Sequence, residues 1–333
     1  MLGAAVIGLG VGAEHARAYA RAPGCALRSV YDHDAKRIQQ VLAEIGQGVA
    51  AASLEAVLGD SAVDLVSIAS YDDAHFAEVL ASLRAGKHVF SEKPMCRSLD
   101  ELTQIRQAWR HDRGRHLGCN LVLRAAPLYQ WLRRAIAAGE LGTIYGFDGD
   151  YLYGRLSKIT DGWRKDVEGY SVMQGGGVHL VDLMLWLTAQ RPVSVAAMGN
   201  RICTDGTDFR YHDFVAATFQ FESGLVGRVS ANFGCMHRHQ HVVRVFGTKA
   251  TFLYDDAGPR LHTSRDPSIP ARPLALATLP DSKGALIPGF VQGIVDEQDP
   301  SEGARHEFDV MTACLAADRA LAAGRATRIE YDD

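Results

Sequence analysis

The chain opens Leu2-Gly3-Ala4-Ala5-Val6-Ile7-Gly8-Leu9-Gly10-Val11-Gly12-Ala13-Glu14. Leu2 to Ile7 is apolar enough for a short buried strand. Glu14 to Ala22 reads as a helix stopped by Pro23-Gly24. Between them Gly8, Leu9 and Gly10 form the turn, with Gly12 and Ala13 completing a variant of G-x-G-x-x-G. Such a turn aims main-chain N–H groups and the positive end of a helix at an anion. In a dinucleotide fold that anion is a pyrophosphate. An ordinary glycine turn is the plainer alternative, and the strand–turn–helix context favours the dinucleotide. A second strand, Ala26 to Tyr31, ends at Asp32. A carboxylate roughly 20 residues past the glycines is placed to bind the adenosine ribose hydroxyls. It repels a 2′-phosphate, so NAD is expected over NADP, although Arg37 nearby keeps NADP open. Asp34 competes to cap the next helix and leaves Asp32 to a ligand.

The remaining first third alternates strand and helix. Asp34 to Ile45 carries apolar residues at helical spacing, and Ser53 opens a short helix ending near Gly59. Asp64 to Ser70 is a nearly continuous apolar run, the pattern of a strand covered on both faces. Asp72 or Asp73 is expected to cap a helix over Ala74 to Ala85. Lys87 to Ser91 is the next strand, Ser98 to Glu101 a capping box, and His116 to Leu121 a last strand. This predicts a doubly wound parallel sheet over residues 1–121. After Asn120 the pattern changes. A helix from Pro127 to Ala138 precedes longer alternating strands at Ile144 to Tyr153, Val193 to Ile202, Phe214 to Glu222, Leu225 to Phe233 and His241 to Phe246. An apolar helix, Val178 to Thr188, is inserted among them. Asp255 to Pro288 reads as loop, and Glu307 to Ala323 as a final helix. Residues 122–333 are therefore expected to form a second α/β domain with a large open, mostly antiparallel sheet.

With 333 residues the chain has room for two sizeable cores. A formal net charge of −4 and no basic stripe argue against nucleic acid as a partner. Six scattered cysteines, with no C-x-x-C pair, suggest reduced thiols. No apolar run reaches membrane-spanning length and no basic leader precedes the first strand, so a cytoplasmic location without membrane contact is expected. The cluster His237-Arg238-His239-Gln240-His241 places three imidazoles on alternate positions of a strand, where they would share a face. Without a neighbouring carboxylate or cysteine we read it as a polar edge and expect no metal.

Three segments carry candidate chemistry. Glu92-Lys93-Pro94 lies at the carboxyl end of a parallel strand, where open α/β sheets bind ligands. Proline restricts the Lys93 backbone, and a cis bond between them is plausible. A surface ion pair and a turn is the plainer alternative. Gly175-Gly176-Gly177 precedes Val178-His179-Leu180-Val181-Asp182. There His179 and Asp182 project on one side of a helix opening after the glycines. Near a helix start the dipole lowers an imidazole pKa and suits a general base. The alternative is a buried structural histidine. Ser70-Tyr71-Asp72-Asp73-Ala74-His75 follows the fourth strand, bordering the cofactor, with a helix cap as the alternative for the two aspartates.

Together these segments resemble the Gfo/Idh/MocA family of NAD(P)-dependent oxidoreductases, the sugar and cyclitol dehydrogenases. The resemblance spans essentially the whole chain. It rests on Ala5 to Gly10, Gly86-Lys87-His88-Val89 running into Glu92-Lys93-Pro94, Arg124 with Pro127, Gly142 with Ile144, Trp163-Arg164, and His179 to Asp182. It implies catalytic roles for Lys93 and His179. It implies a cofactor site of Gly8, Leu9, Gly10, Gly12, Ala13, Asp32, Ser70, His75, Glu92 and Lys93. Lys93, Tyr153, Trp163, Arg164, His179 and Asp182 would bind a small sugar or cyclitol. The family usually carries an aspartate four residues before the histidine; this chain has Gly175 there, with Tyr170, Gln174 or Asp182 available as a replacement. Two other activities fit the same fold: glycosidic cleavage through a transient ketone, and NAD-bound regulation without catalysis. The family pairs through its open sheet, so a homodimer or homotetramer is expected.

Overall fold

The computed structural model describes residues 1–332. The chain runs β1 (Leu2–Ile7), α1 (Gly12–Arg21), β2 (Cys25–Tyr31), α2 (Ala35–Ile45), β3 (Val49–Ala50), α3 (Leu54–Gly59), β4 (Leu65–Ile68), α4 (His75–Arg84), β5 (His88–Ser91), α5 (Leu99–His111) and β6 (Leu117–Cys119). Then come α6 (Pro127–Ala137), β7 (Ile144–Leu152), α7 (Ser157–Thr160), a π-helical turn (Met173–Gly177) and α8 (Val178–Thr188). The strands β8 (Pro192–Asn200), β9 (Phe214–Phe221), β10 (Val226–Asn232), β11 (Gln240–Gly247), β12 (Thr251–Asp255), β13 (Gly258–His262) and β14 (Arg272–Pro273) follow. The last elements are α9 (Ile287–Val295), α10 (Ser301–Ala323) and β15 (Thr327–Arg328).

Two compact units emerge. The first is Met1–Ala125 with Pro280–Met311; the second is Ala126–Leu279 with the residues from Thr312 on. The expected division at residue 121 misses the return of 280–311 to the first unit. The loop expected over Asp255 to Pro288 holds β13 and β14 and ends in the first turn of α9, where proline is tolerated. Ile287, Val291 and Ile294 of α9 join the core that holds Ala16 and Tyr19 of α1.

In the first unit six strands are all parallel, in the order β3-β2-β1-β4-β5-β6. Every residue of β4 and β5 is buried, as the apolar runs require when helices cover both faces. The order reverses between β1 and β4, and ligands bind outside the carboxyl ends of the strands at such a switch point. Asp34 caps α2 through the N–H groups of Lys36 and Arg37, and Ser98 caps α5 through Glu101. Neither Asp72 nor Asp73 caps α4, whose N-terminus carries no side-chain cap. Asp72 is instead buried before the helix begins.

The second unit holds a nine-stranded sheet, β14-β13-β12-β11-β7-β10-β9-β8-β15, antiparallel except for the β7–β10 pair. Strict alternation on β7 buries Phe147, Gly149 and Tyr151 and leaves Asp148 and Asp150 on the other face. Helix α8 covers the buried face. A β-carbon on Gly149 would meet Leu180 of α8 at 3.1 Å, so glycine permits the approach. On the open face Arg228 reaches Asp148 at 3.0 Å and Asp150 at 2.8 Å, and Arg244 reaches Asp150 at 3.0 Å.

Candidate active site

In the first unit, Gly8 adopts a φ of 80°, and a β-carbon there would lie 2.5 Å from the Ala69 carbonyl oxygen. Only glycine permits this contact between the β1 turn and the end of β4. A β-carbon on Gly10 would meet nothing within 4 Å, leaving open approach to the main chain. Gly12 packs α1 closely onto Val6 and Ala69, at 3.0 Å for each. It fills the helix–strand packing role that the motif gives its third glycine, with Ala13 the next residue along α1. No side chain caps α1, so N–H groups at its start remain for an anion. Asp32 accepts from the N–H of Leu9 at 2.6 Å and of Asp34 at 2.8 Å, with Arg37 at 3.6 Å. The carboxylate is thereby fixed beside the glycine turn. This set fits a dinucleotide: an open glycine, an uncapped helix start and a half-buried acid at the end of β2.

Lys93 follows β5 and is half-buried, and its bond to Pro94 is cis. Glu92 beside it anchors a polar cluster. Its carboxylate accepts from the Asn120 amide at 2.7 Å and lies 3.3 Å from His15 Nε2. His15 Nδ1 meets the Ser67 hydroxyl at 2.9 Å, and Asn120 also donates to the Lys283 carbonyl. Burial alone would raise the Glu92 pKa, but the bonds from His15 and Asn120 and the charge of Lys93 outweigh it and hold it at about 2. His75, fully buried, sets Nδ1 at 2.8 Å from the Pro94 carbonyl and Nε2 at 3.2 Å from the Ser70 carbonyl. It braces the turn after β4 against the loop after β5. Ser70 donates through its hydroxyl to Glu78.

In the second unit, the three glycines do not precede the helix that carries His179; they form a π-helical turn continuous with it. Ser171 starts this run, accepting from the N–H groups of Met173 and Gln174 and donating to half-buried Asp318. His179 is thus beyond the first turn of a continuous helix, where the dipole has faded, and the expected dipole effect on it falls away. Each glycine is required by a neighbour. Tyr170 Oη occupies the β-carbon space of Gly175, the Tyr151 ring that of Gly176, and the Met173 sulfur that of Gly177. Gln174 donates to Asp318 at 2.7 Å. Asp182 is fully buried on α8, three residues beyond His179.

The Tyr151 ring lies beside His179, nearly parallel at 24° with centroids 6.3 Å apart. Tyr153 stacks on Tyr151 at 5.6 Å and meets Phe233 at 4.7 Å. Burial pushes the Tyr151 hydroxyl pKa up, and Arg164 and Arg155 are near enough to oppose the rise electrostatically. Arg164 folds over the ring of Trp163 at 4.4 Å, and Arg155 over Tyr153 at 5.4 Å. The three histidines before and at the start of β11 do not stay together. His237 turns to Asp256 at 3.0 Å, while His239 and His241 edge onto Tyr151, each at 5.2 Å. Among the described residues no group of three or more histidine, cysteine or carboxylate side chains is arranged to hold a metal ion.

Two family models match, one described as an oxidoreductase family with an NAD-binding Rossmann fold over residues 2–117 and one as the GFO/IDH/MocA C-terminal domain over residues 129–253. The chain belongs to the Gfo/Idh/MocA oxidoreductase family. As a member it is an NAD(P)-dependent oxidoreductase built from the two sheets described above. It is 26% identical over 330 residues to a 1,5-anhydro-D-fructose reductase of Ensifer adhaerens, covering 93% of each chain. It is 25% identical to inositol 2-dehydrogenase 3 of Saccharopolyspora erythraea, covering 75% of this chain and 72% of that one. Levoglucosan dehydrogenase in complex with NADH shares the fold, with a TM-score of 0.87 at 19% identity over 99% of this chain and all of that one. No helix among the described residues of this family member is long and apolar enough to cross a membrane.

The sequence reading singles out Glu92 but not its partners His15, Ser67 and Asn120. Ser67 and Asn120 are lone polar residues in apolar stretches, the pattern of ordinary buried side chains, and His15 lies between Glu14 and Arg17 on a helix with polar residues of its own. Tyr151 is likewise missed, although Tyr151 with Tyr153 and His239 with His241 repeat at the two-residue period of one sheet face. The register that sets His241 opposite Tyr151 is visible only in the fold.

Proposed function

We propose that this oxidoreductase reversibly oxidises a secondary alcohol on a sugar, sugar derivative or cyclitol. The observation that carries the proposal is His179 set beside Tyr151 in a wall shared with Tyr153, His239 and His241. The imidazole supplies a base within a buried aromatic frame. Relatives named for an anhydro-sugar and for inositol support the substrate class.

Bound NAD supplies the hydride acceptor. His179 takes the hydroxyl proton. Lys93, as an ammonium, hydrogen-bonds the reacting oxygen and steadies developing negative charge. The Tyr170 hydroxyl fills the place of the carboxylate that the family carries four residues before the histidine. Gln174 is committed to Asp318, whereas Tyr170 reaches the very space opened by Gly175. Asp32 favours NAD over NADP. Trp163 and Arg164 belong to the substrate side of this proposal, whereas Asp182, fully buried on α8, presents no surface to a ligand.

A screen of sugars, inositols and nucleotide sugars with NAD and NADP, read by reduced cofactor, tests the activity. NADH formation with at least one secondary alcohol is expected. Binding of NAD without turnover across the panel would favour regulation, and hydrolysis without net reduction would favour glycosidic cleavage.

The open sheet face supports assembly. Met198 is 82% exposed and Val226 48% exposed beside the Arg228 ion pairs, on a face that isolated sheets must cover. We expect a homodimer or homotetramer through it. Light scattering that gives a monomer at micromolar concentration would refute this.

A further inference from the structure

We propose that His241 and His239 form a proton relay that carries the substrate hydroxyl proton from His179 to solvent. The proposal rests on His179 acting as the base. Oxidation breaks a C–H and an O–H bond and forms a C=O double bond. The hydride leaves for the bound cofactor, and one proton per turnover is left on the imidazole. That imidazole must be emptied before the next cycle, and His179 is only 8% exposed. Water therefore has poor access to it.

The second unit supplies a path. His241 stands edge-on to His179, with centroids 5.9 Å apart and planes at 89°. His239 follows at 4.9 Å from His241. His241 is as buried as His179, whereas His239 is half-buried and follows exposed Arg238. An imidazole accepts a proton on one nitrogen and releases one from the other, so a row of them passes protons without net movement of the rings. Successive rings are neighbours, with centroids 5.9 and 4.9 Å apart, and the proposed hand-over runs through a bridging water.

The surroundings keep the row in place. Tyr151 borders all three imidazoles, at 6.3 Å from His179 and 5.2 Å from each of the other two. Tyr153 closes on His239 at 5.1 Å. Arg155 and Arg164 carry positive charge near this wall, close enough to act electrostatically on Tyr151, and Arg155 packs over Tyr153 at 5.4 Å. His237 takes no part, being held by Asp256.

The test uses the whole enzyme with NAD and the first sugar or inositol of the panel that yields NADH. Stopped-flow mixing in weak buffer follows NADH by absorbance and released protons by an indicator dye. In the native enzyme both signals should rise together. In His241→Gln, turnover should fall at least tenfold and be restored by added imidazole in proportion to its concentration. His239→Gln, at a less buried position, should show the same dependence on imidazole with a smaller loss. Retained NAD binding and an unchanged melting temperature would exclude misfolding. Native rates without buffer dependence in both variants would overturn the relay. Unaltered turnover in His179→Asn, or no NADH with any member of the panel, would instead remove the base assignment and the relay with it.

Discussion

The hydroxyl of Tyr170 lies where a β-carbon on Gly175 would have to stand. The two positions are therefore coupled: a side chain at 175 and a phenol at 170 exclude each other. Gly175→Asp alone should destabilise the protein by about 1–3 kcal/mol, the usual cost of overpacking. Tyr170→Phe alone should leave the fold intact and lower kcat by about 10²-fold, the lower end of the scale of lost acid–base assistance. The double variant Tyr170→Phe/Gly175→Asp should recover part of both losses. Urea denaturation and steady-state kinetics on the four proteins check this; simple additivity would show that the two positions are independent.

Asp32 is oriented by the N–H groups of Leu9 and Asp34, with Arg37 at 3.6 Å. Asp32→Ala removes two hydroxyl acceptors and releases Arg37. The ratio of kcat/KM for NAD to that for NADP should drop by about 10- to 100-fold, since each lost charged hydrogen bond is worth about 1.5–3 kcal/mol. An unchanged ratio would place cofactor selection elsewhere.

Glu92 is held at about 2 in the folded chain despite burial that opposes ionisation. Its folded pKa lies below its unfolded value, so it contributes stability above the unfolded pKa of about 4.3. That contribution is lost as pH falls through about 2. The native protein should exceed Glu92→Gln in stability at pH 7 by on the order of 3 kcal/mol, and the gap should shrink with acidification. Denaturant titrations of both proteins from pH 7 to pH 3 measure it. A gap that stays constant would mean that the His15 and Asn120 contacts do not depend on the charge.

Much of the first unit is legible in residues 1–121 because each step has local chemistry. Gly8 needs a positive φ, Asp34 and Ser98 cap helices, and β4 and β5 are uniform apolar runs. The fate of 280–311 is not legible, because its contribution comes from distant packing of Ile287 and Val291 onto α1. In the second unit the strands are readable from alternation, but their order is not. The pairing of β7 with β11 that assembles the Tyr151 wall joins residues about ninety positions apart in sequence. The role of Gly175 to Gly177 is likewise hidden, since glycines that make room for Tyr170, Tyr151 and Met173 look the same in sequence as glycines that start a helix.

Lys93 borders the cofactor site, but its proposed task is to act on the reacting oxygen, with little contribution to holding NAD. Its ammonium borders Glu92 in the first unit, close enough to help keep that carboxylate ionised. The direct measurement is NAD binding and turnover of Lys93→Ala in the same preparation, with the best substrate of the panel. An NAD dissociation constant within a few-fold of native is expected, with kcat reduced by about 10²–10³, the scale of a lost charge-stabilising donor. Native kcat in that variant would contradict that task.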